Sequence, residues 1–121
     1  MTKTPILLAA AFVGLSLPAF AQTSWVEIDD DVMVAPFNVE ADDLDDMDIH
    51  NSAGQEIGEV EKVIGTNETT PTALVVEFDG EAGYPDRDDV VVPLDRFSMN
   101  GDRLVLNADA AAVEGFQTYD D

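Results

Sequence analysis

Carboxylates are the reactive groups this chain holds in abundance, and they are densest at Asp42-Asp43-Leu44-Asp45-Asp46, with Asp48 just beyond. Clustered carboxylate oxygens are the ligands of hard cations such as calcium, so a metal loop is the first chemistry to test. It fails on spacing. A helix-loop-helix calcium loop needs ligands at its first, third and fifth positions and a glycine at the sixth. A loop begun at Asp43 puts Met47 fifth, one begun at Asp46 puts His50 there, and neither supplies the glycine. The run reads instead as a solvated acidic turn with Leu44 as its one buried anchor. Asp86 to Asp89 lacks the same glycine spacing and the distal Glu, so no metal site is expected in either run.

Catalysis finds no matched set. His50 is the only histidine; it stands beside a turn, on the strand face opposite Met47 and Ile49, and reads as a surface residue. Ser24, Ser52 and Ser98 sit in no nucleophile-elbow context. The chain has no cysteine, which removes disulfides, thiolate metal sites and a cysteine nucleophile. The expectation is a protein that is not an enzyme and carries no cofactor. Residue types enriched in binding hot spots do occur together, however. Tyr84, Pro85 and Arg87 lie in the glycine-bearing loop from Gly80 to Arg87, which makes that loop the candidate partner-binding element.

The 121 residues suffice for one small domain, and 26 Asp and Glu against 5 Lys and Arg give a formal net charge of -21. Duplex nucleic acid and anionic membrane surfaces are both held by basic side chains, so neither is an expected partner. Such an excess keeps a protein soluble at some cost in self-repulsion.

Residues 1–21 read as an address rather than as part of the fold. A start carrying Lys3 leads into an apolar run from Ile6 to Leu17, and Ala19-Phe20-Ala21 supplies a small-x-small cleavage pattern. Cleavage is expected between Ala21 and Gln22, because the run is shorter than the ~20 residues of a membrane span. The mature protein is then expected in the periplasm of a Gram-negative bacterium, with no stable membrane insertion after processing.

Residues 22–43 read as an acidic N-terminal arm. Trp25 to Ile28 alternates apolar and polar as a short strand does, and Val32 to Phe37 is apolar enough to pack along the main domain. Trp25, the only tryptophan, reads as a packing anchor. Strand signals then follow in series. Met47 and Ile49 share a face, and Asn51-Ser52-Ala53-Gly54 is a turn. Ile57 and Val60 are three apart, a register conflict that a bulge at Gly58 with positive φ would repair. Gly65 to Pro71 reads as a loop, and Leu74, Val76 and Phe78 as an inner strand face with Val75 and Glu77 opposite. Asp89 to Leu94 is the next strand, Asn100-Gly101 the tight turn of a hairpin, and Arg103 to Leu106 the last strand. Asn107 is placed to cap a helix over Ala108 to Glu114, stopped by Gly115, with Val113 and Phe116 pressed onto the domain. Tyr119 to Asp121 reads as a loose tail, of which residues 120–121 lie beyond the domain.

The order Gly54-x-x-Ile57-Gly58-x-Val60, Ala73-Leu74-Val75-Val76-Glu77, Val90-Val91-Val92-Pro93-Leu94 and Asp102-Arg103-Leu104-Val105-Leu106 resembles a PRC-barrel domain. The resemblance covers 44–119. It implies an all-β fold: a small, mostly antiparallel barrel, here with an N-terminal extended arm and a short C-terminal helix. It also implies an adaptor-like role. The expected function is therefore a non-enzymatic periplasmic module that binds or scaffolds an unidentified envelope protein. The alternative is a low-affinity divalent-cation-binding acidic envelope protein.

Overall fold

The computed structural model describes residues 24–119. The expected signal segment, the Ala21/Gln22 cleavage point, Asp120 and Asp121 lie outside the described residues. In chain order the strands are β1 (Val26–Glu27), β2 (Met33–Val34) and β3 (Val39–Glu40), then a one-turn helix α1 (Ala41–Leu44). Then come β4 (Asp48–His50), β5 (Glu56–Asn67), β6 (Thr70–Asp79) and β7 (Asp86–Pro93). A 3-10 turn (Leu94–Arg96), β8 (Phe97–Asn100), β9 (Arg103–Leu106) and α2 (Ala110–Glu114) complete the chain.

One sheet runs β7-β6-β5-β4-β9-β8 and curls into a half-barrel, with β1 added to β5. Every neighbour is antiparallel except β4 and β9, which run parallel with Ile49 beside Leu104. The arm expected over 22–43 carries β1 and the small β2–β3 hairpin. Its Ile28, Val34 and Phe37 are buried in the same core as Ile57, Leu74, Phe78 and Leu104. Leu44 is buried as expected, and Ala41 of α1 is buried beside it, so the acidic turn has two anchors.

β5 solves its spacing conflict with two extra residues. The β4–β5 register shifts between Ile49 and His50, leaving Ile57 extra; the β5–β6 register shifts between Val60 and Lys62, leaving Glu61 extra. Each bulge turns the next residue back to the concave side. Ile57, Val60 and Val63, three apart each, therefore all enter one core. Gly58 does not supply positive φ; Gly54, Gly80, Gly83 and Gly101 do. Its role is close approach, since a Cβ there would stand 2.3 Å from the Glu77 carbonyl oxygen of β6.

Other local expectations change for identifiable reasons. Gly65 to Pro71 is no loop: β5 continues through Asn67 and β6 begins at Thr70. The Asn67 carboxamide accepts from the Thr69 amide at 3.0 Å, which closes the turn with Glu68 and Thr69 alone. The β8–β9 turn is centred on Gly101-Asp102, because Asn100 pairs with Arg103. Helix α2 is capped by Asp109, whose carboxylate accepts from the Ala112 amide at 2.9 Å, while Asn107 donates to Ser98 Oγ instead. Gly115 ends that helix as expected. Tyr119 is not a loose end: its amide bonds to the Asp89 carbonyl and its ring packs on the sheet.

Candidate functional site

Over part of their length strands β5, β6 and β7 bury apolar residues on both faces. Ile64, Ala73, Val75 and Val91 form a second buried cluster on the convex face, overlaid by half-buried Trp25 and Tyr119. Two flanking segments make a groove of it. On one side β1 pairs with the end of β5, Val26 opposite Gly65, and carries Trp25. Gly65 leaves room on two sides, since a Cβ there would stand 1.9 Å from the Thr70 carbonyl oxygen of β6 and 3.0 Å from Ile28 Cδ1 just after β1. On the other side the chain after α2 lies along the free edge of β7, where the Val91 amide donates to the Gln117 carbonyl at 2.8 Å. Between Trp25 and Phe116–Gln117 lies a groove of about 360 Å³, with Ala73, Val91 and Pro93 beneath it.

Arg87 does not lie in the loop as expected but near the start of β7, which begins at Asp86 rather than Asp89, and it is this residue that holds one wall of the groove in place. Arg87 donates to the carbonyl oxygens of Val113 at 2.7 Å and Phe116 at 3.2 Å, and to Thr118 Oγ1 at 3.1 Å. The Phe116 ring in turn lies under the Arg96 guanidinium, 5.5 Å from its centre. Tyr84 stacks on Phe78 with centroids 6.0 Å apart, and its hydroxyl donates to the Ala108 carbonyl. Burial and the charge of Asp109 raise the Tyr84 hydroxyl pKa above its ordinary value. Pro85 stays half-exposed. Tyr84 and Arg87 are thus both committed within the molecule, and Tyr84 also borders a second cleft of about 290 Å³ with Ser52 and Asn107.

Carboxylates crowd the far end of the same convex face. Alternation along β6 puts Ala73, Val75, Glu77 and Asp79 on one side. Glu77 sits directly opposite Glu59 of β5. β7 contributes Asp88 and Asp89, the latter at a bulge with φ 56. Burial, Asp89 and Glu77 push the Glu61 carboxyl above the usual range, and Glu61 shares a side-chain hydrogen bond with Asp89. Partial desolvation and the charges of Asp88, Glu59 and Asp79 raise Glu77 likewise. Lys62 stands between this end and the groove, its ammonium 5.0 Å from the Tyr119 ring centre.

A separate acidic cluster forms where the arm meets α1. Carboxylate oxygens of Asp30, Asp42 and Asp45 lie within 4.8 Å of one another. Burial first, then Asp30, Glu27, Asp42 and Asp46, push Asp45 up to about 6. Asp30 comes from the arm and was not part of the expected run; the Asp42 amide donates to its carbonyl at 3.0 Å. The ring of His50 is half-buried, and its Nδ1 is the one buried side-chain nitrogen or oxygen without a hydrogen-bond partner among the described residues.

The groove residues were missed from sequence, yet a signal was present. Ala73-Leu74-Val75-Val76 and Val90-Val91-Val92 are unbroken apolar runs, the pattern of strands covered on both faces. Assigning only one inner face left Ala73, Val75 and Val91 without a role.

No curated protein matches the chain. A family model, the PRC-barrel domain, matches residues 38–113, from the turn before β3 to the last turn of α2. With that span and this half-barrel sheet, the chain belongs to the PRC-barrel domain family.

Proposed function

We propose that this PRC-barrel is a non-enzymatic binding module that scaffolds another macromolecule of the bacterial envelope, exported to the periplasm. The groove on the convex face carries the reading. It is an apolar recess on an acidic protein, walled by an aromatic on each side, and such recesses are where partners anchor side chains. The signal-like pattern of residues 1–21 supports the compartment. Of the expected loop residues, Arg87 enters as the brace of the groove wall. Photo-crosslinking in cells tests this reading, with the reactive residue placed at exposed Gln117. A discrete adduct with an envelope component supports it; no adduct there, and none from the Tyr84 cleft, overturns it.

One observation favours a second reading, weak uptake of a divalent cation: the convergence of Asp30, Asp42 and Asp45. Three surface carboxylates fall short of the six or more oxygens a calcium ion takes, so affinity should be no tighter than about millimolar. Calorimetry with calcium at constant ionic strength decides the order. One ion per chain at micromolar affinity, abolished by Asp45→Asn, would put this reading first.

A further inference from the structure

We propose that the convex face of β5, β6 and β7 docks an extended, cationic segment of a partner protein. An apolar side chain enters the groove at Ala73 and Val91, and a lysine or arginine roughly four residues away meets the carboxylates around Glu77. The inference rests on the binding reading above and adds the chemistry of the partner.

The two anchor points lie in line. Ala73 and Glu77 are on the same face of one strand, about 13 Å apart at the usual strand rise. An extended partner has that same rise, so side chains four positions apart on it match both points at once. Two anchors aligned along one strand fit a peptide strip better than a compact ligand.

The charge at the far end calls for a cation. Glu59 and Glu77 face each other across the ladder, and like charges so placed oppose the pairing they sit on. Glu61 and Asp89 are close enough to share a hydrogen bond, and Asp88 adds to the same field. A chain with 26 acidic and 5 basic residues has few cations of its own to spend there. Arg87 is held on the Val113 and Phe116 carbonyls and Arg96 over the Phe116 ring, while Lys62 lies between the two anchor points with its ammonium over Tyr119. A second copy of this chain is a poor occupant, because each copy brings a net charge of -21.

Trp25 reports occupancy directly, being the only tryptophan and a wall of the groove. The probes are short synthetic peptides titrated into the full chain: one with leucine and lysine four positions apart, one with glutamate for the lysine, and one with alanine for the leucine. The leucine–lysine peptide should shift Trp25 emission, and its affinity should fall as salt rises. Both altered peptides should bind at least about tenfold more weakly. Glu77→Gln with Asp88→Asn should erase the preference for lysine over glutamate while leaving the fold intact, and Gln117→Phe should fill the groove and abolish the shift. Equal affinity for the lysine and glutamate peptides overturns the inference, and so does equal binding without the leucine, which would be charge attraction alone. A Trp25 shift that depends on protein concentration without peptide assigns the groove to a second copy instead. A partner crosslinked only through the Tyr84 cleft would leave the binding reading standing while this inference falls.

Discussion

The Arg87 guanidinium donates to the Val113 carbonyl at 2.7 Å, tying the start of β7 to the last turn of α2 across 26 positions of chain. The same group reaches Phe116 and Thr118, so one side chain holds the segment that walls the groove and covers the β7 edge. Hydrogen bonds from a charged donor are each worth about 1.5–3 kcal/mol when sheltered, and these are only partly buried. Arg87→Ala should therefore cost about 1–2 kcal/mol. It should also speed amide exchange at Val91 and Tyr119 ahead of the rest of the sheet. Arg87→Lys should restore little, because an ammonium cannot span three acceptors as the planar fork does. Unchanged exchange at Val91 and Tyr119 would show that the segment docks without this anchor.

Gly58 sits opposite Phe78 in the β5–β6 ladder with no room for a side chain. Gly58→Val would force β5 away from the Glu77 carbonyl and should destabilise by about 2 kcal/mol or more. The same residue placed at exposed Glu68 should change stability by less than about 0.5 kcal/mol. Denaturant titration of both variants checks this, and equal midpoints for Gly58→Val and the parent would refute the close approach.

Asp45 links stability to pH in an unusual direction. Its carboxyl is raised to about 6 in the folded chain against 3.8 for the free group, so the folded state holds the proton more tightly. Between roughly pH 4 and 6 this group favours the folded state increasingly as pH falls, and above pH 6 its repulsion is fully present. Solvent around a half-exposed carboxylate screens the effect to about 1 kcal/mol. Asp45→Asn should thus raise stability near pH 7 by about that amount and make almost no difference near pH 4. Equal effects of the substitution at both pH values would contradict the assignment.

The caps of α2 separate two residues that look alike in sequence. Asp109→Ala removes the acceptor for the Ala112 amide and should cost about 1 kcal/mol. Asn107→Ala should cost less than about 0.5 kcal/mol, since its carboxamide only meets exposed Ser98. Thermal melts of the pair decide between the two caps.

The fold was legible because short-range signals agreed: alternation in β6, the glycine turn before β5, the hairpin before β9. Periodicity located the bulged strand but not the reason for Gly58, since a close backbone approach is set by a partner strand about twenty residues away. The groove was illegible for a similar reason. Its walls, Trp25 and Phe116, are near opposite ends of the described chain, and only pairing of β1 with β5 and of Gln117 with β7 brings them together. Arg87 reads as a surface hot spot in sequence because nothing local reveals that three acceptors from residues 113–118 converge on it.

The parallel pairing of β4 with β9 dictates an order of assembly. β5, β6 and β7 can join as successive hairpins while the chain is still being made or threaded, since each finds its neighbour nearby. β4 gains its second neighbour only when Leu104 arrives beside Ile49, a long loop closure and the slow step of this topology. β8 hangs on β9 alone in the sheet order. A chain cut just before Arg103 would thus lose an interior strand and orphan another, leaving β4 with an open edge, the form in which sheets recruit other chains. Release of the last few residues of the barrel is what commits the molecule to its finished shape.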